Sequence, residues 1–149
     1  MVGQRQTAPP TQEALCQELA SFWRHLPDKG LFLTLLAAWA ALFHFCGNAT
    51  FGFAKTPSMF GWMHYVYTTS EDDYHGLLVP FAVLALLFVK RKELEPLAKR
   101  IWWPALGLVL LAALLHVAGF LVQQTRVSIM AFFLGVYGLT GLVWGKRWL

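Results

Sequence analysis

Histidine, arginine and cysteine side chains stand at the rims and in the middle of otherwise apolar runs, and they bound the chemistry open to this chain. His75 follows Asp72, Asp73 and Tyr74 and precedes Gly76. An imidazole works as acid, base or metal ligand near neutral pH, so this cluster is the leading candidate for a reactive group. The same residues also fit a helix start, with Asp72 or Asp73 as N-cap of a helix beginning near Gly76 and Tyr74 and His75 as interface anchors. Both readings stand on the sequence. Arg126 closes a short polar turn, Gln123-Gln124-Thr125-Arg126, between two apolar runs. A guanidinium at membrane depth is costly. Either it binds a carboxylate or pairs with Asp72 or Asp73, or it snorkels to water.

His116 lies inside an apolar run, where a polar group faces the bundle interior and bonds a neighbouring helix. His44, His64, His75 and His116 form neither an H-x-x-x-H nor an H-E-x-x-H pattern, so no metal or other cofactor is expected. Cys46 is two residues from His44, and side chains at i and i+2 diverge on a helix. It reads as a packing residue rather than a nucleophile, and no catalytic residue is assigned. Asn48-Ala49-Thr50 matches a glycosylation sequon, a triplet that chance supplies often. No phosphate loop or nucleic-acid motif occurs.

The elements that must position these groups are membrane helices. The chain has 149 residues, 57% hydrophobic and 13% charged, with mean hydropathy +0.50. A soluble domain carries about 25% charged residues. The net charge of +4 does not point to nucleic acid, because Lys and Arg cluster at the ends of apolar runs as topological signals. Residues 1–10 are polar and end in Pro9-Pro10, with little to bury. From Thr11 to Leu26 the residues Leu15, Leu19, Phe22, Trp23 and Leu26 recur at helical spacing, giving an amphipathic helix that lies in the interface or packs on a partner. Residues 1–29 are therefore expected as a cytoplasmic tail and interfacial helix, and 30–149 as a membrane domain.

Four spans are expected: Leu31 to Cys46, about Gly76 to Val89, Ile101 to Val122, and Val127 to Trp144. Lys55 to Asp73 reads as an aromatic-rich loop resting on the headgroups. Pro104 fits the first turn of the third span, where its missing N–H is harmless. The first apolar run has no clean cleavage site after it and is expected to remain as an anchor. Lys90 to Arg100 carries five positive and two negative charges, whereas Lys55 to Asp73 carries one positive and three negative. The positive-inside rule puts the former, and both termini, in the cytoplasm. Cys16 and Cys46 then face opposite sides and form no disulfide. Gly135, Gly138, Gly141 and Gly145 make a stripe on the fourth span, a packing surface for another helix. The fold class is all-α: a polytopic transmembrane bundle.

The stretch DDYHGLLVPFAVLALLFVKRKEL resembles the signature of the exosortase/archaeosortase family, an outer-face Tyr-(Ser)-His-Gly followed by Leu-Val-Pro, an apolar span and a basic run. The region from Trp102 to Leu149 looks like the family's next two spans, including a Gln-Gln-x-Arg-x-Ser turn. The resemblance covers roughly residues 30–149, and one departure is visible: the serine usual between Tyr74 and His75 is missing. It implies a multi-pass protein of the bacterial inner membrane. Such a protein is a cysteine peptidase or transpeptidase that processes C-terminal sorting signals of the PEP-CTERM type. Its partners are lipids and the sorting helix of the exported protein. The resemblance places the catalytic Cys, Arg and His on later spans, past the point matching Leu149. Neither Cys16 nor Cys46 inherits that role, and Tyr74, His75, Gly76 and Arg126 are supporting outer-face residues. The chain is then expected to be the N-terminal part of such an enzyme, or a shortened relative. The alternative is a non-catalytic membrane subunit that docks on a larger partner through its glycine stripe.

Overall fold

A computed structural model describes residues 28–50, 54–70 and 100–149, together with Gln17, Ala20, Ser21, Arg24, Leu26, Gly52, Leu78, Phe81, Ala82, Ala85, Leu86 and Val89. Among these residues there are helices and no strand. The helices are α1 (Lys29–Cys46), α2 (Met59–Thr69), α3 (Ala105–Leu121) and α4 (Thr125–Trp144), with a 3-10 turn at Lys146–Trp148. α1 and α4, with 18 and 20 residues, are long and apolar enough to cross a membrane, and α3 is a slightly shorter apolar helix. Most of the expected span from Gly76 to Val89 lies outside the described residues, as do most of the amphipathic segment and Tyr74, His75 and Gly76.

Two expectations are corrected. The segment from Lys55 to Asp73 is not all loop, because Met59–Thr69 is helical. Ser58 caps it, its Oγ accepting from the Gly61 N–H at 3.2 Å, and Met59, Trp62 and Val66 supply a buried face at helical spacing. Aromatic content had obscured that periodicity. The turn before α4 is also shorter than expected. Thr125 and Arg126 belong to the helix, because a Schellman closure reverses the chain within Val122–Gln124. There the Gln124 N–H donates to Gly119 O at 2.8 Å and the Gln123 N–H to Phe120 O at 3.2 Å. Gln123 takes the left-handed position, φ 56°, a place usually held by glycine.

Contacts between helices fix their directions. Along α1, Phe32 meets Trp144, Trp39 lies on Gly135, and Phe43 meets Phe132. Rising numbers on α1 match falling numbers on α4, so the two are antiparallel. On α3, Val109 faces Gly138, and Gly119 faces Val127 and Ser128, which makes α3 antiparallel to α4 and parallel to α1. Lys29, Arg100, Lys146 and Arg147 therefore gather at one end, and Asn48, Gln123 and Arg126 at the other.

The bundle is packed for lipid. The buried residues of α3 are Ala105, Ala112, His116 and Gly119, while Leu114 and Leu121 are 67% and 75% exposed. Small and polar groups face inward and large aliphatic ones outward, the arrangement of membrane helices, which associate by close backbone approach. In water such a continuous apolar surface would aggregate. The glycine stripe of α4 is occupied from within the chain. Gly135 receives Trp39, Gly138 receives Leu108 and Val109, Gly141 receives Leu149, and Gly145 meets the backbone of Arg100. Gly135 thus admits α1 and Gly138 admits α3, while Gly141 and Gly145 receive the segments that end and precede the helical pair.

A candidate functional site at the polar end of the bundle

At the end away from the basic residues, the bundle buries polar side chains that an apolar core does not need. Asn48, just past α1, is 3% exposed, and Thr125, which opens α4, is 2% exposed. Thr125 Oγ1 donates to Asn48 Oδ1 at 2.9 Å, joining segments 77 residues apart in sequence. The same Oδ1 accepts from the Thr50 N–H at 3.0 Å and from the Thr50 hydroxyl. Asn48 Nδ2 donates to Thr56 O at 2.6 Å, and the Asn48 N–H to Pro57 O at 2.9 Å. One carboxamide thus closes the connection between α1 and α2 and docks it on α4. Leaving such a buried group unpaired costs about 1–3 kcal/mol, so the bonds define one arrangement. The sequon reading of Asn48 fails physically, since its amide nitrogen is inside the fold and already donating.

Two further pairs flank this hub. His44 Nδ1 lies 3.1 Å from Ser58 Oγ, tying the last turn of α1 to the cap of α2. His116 Nδ1 lies 3.1 Å from Ser128 Oγ, joining α3 to α4 one turn inward of Thr125. Phe43 covers the His116 ring at a centroid distance of 4.4 Å, and His116 and Ser128 are 5% and 1% exposed. The imidazole–hydroxyl pair is sealed between helices and bonds α3 to α4.

Arg126 is exposed in the first turn of α4, beside the buried Thr125. Cys46 is a free, exposed thiol at the end of α1; Tyr74, His75 and Gly76 are not among the described residues. Among the described residues no group of three His, Cys, Asp or Glu side chains could hold a metal. Sequence reasoning singled out His116 and Arg126 but missed the hub. The available signal was the recurrence of Asn, Ser and Thr where apolar runs end, at Asn48, Ser58, Thr125 and Ser128. Short polar side chains are also what turns and caps use, which hid it.

Fold and site together define a membrane helical bundle with a basic end and an opposite end rich in buried, hydrogen-bonded polar side chains. The model of one family, the transmembrane exosortases, matches residues 62–149. That is more than half of the chain, from the first turn of α2 through α3 and α4, and the chain belongs to this family. No curated protein matches it significantly, and no solved structure does.

Proposed function

We propose that this protein acts in the bacterial inner membrane as the helical scaffold of an exosortase-type cysteine peptidase or transpeptidase. It processes C-terminal sorting signals of the PEP-CTERM type on exported proteins. The observation that carries this reading is the family match across residues 62–149, which takes in α3, α4 and the turn between them. In this reaction a thiolate attacks the scissile carbonyl, a histidine moves the proton to the departing amine, and an arginine stabilises the oxyanion. The resemblance assigns those three residues to later spans. The helices α1, α3 and α4 build the frame, and the polar end carrying Asn48 and Arg126 is the face that meets the exported peptide.

The charge distribution supports a multi-pass orientation with Lys29, Arg100, Lys146 and Arg147 on the cytoplasmic side. Lipids and the apolar sorting helix are then the partners of the exposed leucine faces. A non-catalytic subunit docking through Gly135, Gly138, Gly141 and Gly145 draws no support from the packing, in which these positions already hold Trp39, Val109, Leu149 and Arg100. The test is deletion of the gene in the cell that makes the protein. A reporter ending in a sorting signal, apolar helix and basic tail should then stay uncleaved in the membrane. Equal cleavage with and without the gene would sink the proposal.

A further inference from the structure

The basic end of the bundle is assembled from two segments joined through their backbones. The Trp102 N–H donates to Leu142 O at 3.3 Å, and Gly145 lies against Arg100, where an added Cβ would come within 2.5 Å of Arg100 O. After Gly145 the 3-10 turn Lys146–Trp148 folds its apolar neighbours inward. The Trp148 ring lies on Trp144 at 4.9 Å, and Leu149 covers Gly141. Lys146 and Arg147 are thereby left exposed beside the exposed Arg100. Among the described residues the one acidic side chain is Asp28, against Lys29, Arg100, Lys146 and Arg147 at this end.

An apolar track begins where these cations end. Trp103 is 71% exposed, and the exposed Leu106, Leu110 and Leu114 continue from it along α3. Spacings of three and four place those leucines on one helix face. At about 1.5 Å per residue, Leu106 to Leu114 covers roughly 12 Å, close to the ~15 Å hydrocarbon depth of one leaflet.

We infer that Arg100, Lys146 and Arg147 form a headgroup site for an anionic phospholipid, whose acyl chains lie along Trp103, Leu106, Leu110 and Leu114. A dissolved anion would meet the charge alone, whereas a phospholipid meets the charge and the track together. The guanidinium groups donate to phosphate oxygens as a fork, and the Lys146 ammonium adds a point charge. The Trp103 indole sits at headgroup level, as interfacial tryptophans do. Each Lys or Arg near an anionic surface strengthens the attraction about fivefold. A zwitterionic lipid carries a cation of its own and gains less from this field. The site does not depend on the peptidase reading.

The experiment uses the full chain in mixed detergent micelles, with bound lipid counted by native mass spectrometry. Phosphatidylglycerol, phosphatidylcholine and glycerol 3-phosphate are titrated separately. Phosphatidylglycerol should bind about a hundredfold more tightly than phosphatidylcholine, three steps of about fivefold, and glycerol 3-phosphate should not bind over the same range. Arg100→Gln, Lys146→Gln and Arg147→Gln together should erase that preference, whereas Lys55→Gln, exposed near the opposite end, should leave it intact. If the triple variant fails to accumulate, each single substitution should cost about fivefold and decides the matter. Equal binding of the two lipids, or a preference that survives the substitutions, overturns the inference. Glycerol 3-phosphate binding as tightly as phosphatidylglycerol would make this a site for a free phosphate and overturn the lipid assignment. Dimers of the chain that exclude phosphatidylglycerol in the same spectra would do so too.

Discussion

The Trp39 indole lies directly on Gly135: its Nε1 donates to Phe132 O at 3.1 Å, and a Cβ on Gly135 would sit 2.1 Å from Trp39 Cζ2. The missing side chain lets the largest residue of α1 enter α4, and this contact fixes the register of the two helices.

Gly135→Ala should therefore destabilise the bundle by about 1–3 kcal/mol, since the indole must leave its bed or the helices separate. Gly107, on α3 with nothing within 4 Å of a built Cβ, is the internal control. Gly107→Ala should be neutral, or stabilising by up to roughly 1 kcal/mol through helix propensity. Unfolding midpoints in mixed detergent micelles compare the two, and equal effects would mean that Trp39 does not rest on Gly135.

The His116–Ser128 pair should behave as one coupled unit. Ser128→Ala and His116→Leu, alone and together, should give a coupling energy of about 0.5–1.5 kcal/mol in a double-mutant cycle, the range for hydrogen bonds between membrane helices. Strict additivity would show that the two groups do not bond.

Gly145 ends α4 at φ 98° and would place a Cβ 2.5 Å from Arg100 O. Both the backbone conformation and the close approach call for glycine. Gly145→Ala should cost about 1–3 kcal/mol and loosen the basic end, read as faster proteolysis between Arg100 and Trp102. Unchanged proteolysis and stability would argue against that packing.

Orientation can be read with thiols. With Cys16 and Cys46 replaced by serine, Lys55→Cys should react with a membrane-impermeant maleimide in intact spheroplasts, and Lys146→Cys only after permeabilisation. A reporter active only outside the cytoplasm should be silent when fused after Leu149. The reverse pattern in either assay would invert the topology.

Periodicity and charge made much of this protein legible. Leu31 to Cys46 ends where α1 ends, and Val127 to Trp144 differs from α4 only at its start, because a long apolar run has one way to satisfy its backbone in lipid. Two other features stayed hidden. α2 depends on docking Met59, Trp62 and Val66 against the rest of the bundle, and a short helix draws most of its stability from such packing. The turn before α4 shortened because hydrogen bonds to Gly119 and Phe120 close it, which composition does not encode.

The sequence by itself determined the helical class and the basic clusters at the ends of apolar runs, which follow from local composition and one-dimensional spacing, while the family came from the resemblance of its motifs. Only the tertiary structure decided that the glycine stripe receives Trp39, Val109 and Leu149, and that Asn48 meets Thr125. Residues far apart along the chain become neighbours when antiparallel helices pack. Hydrogen bonds shorter than the span of a single side chain then select which of many equivalent polar residues share a site.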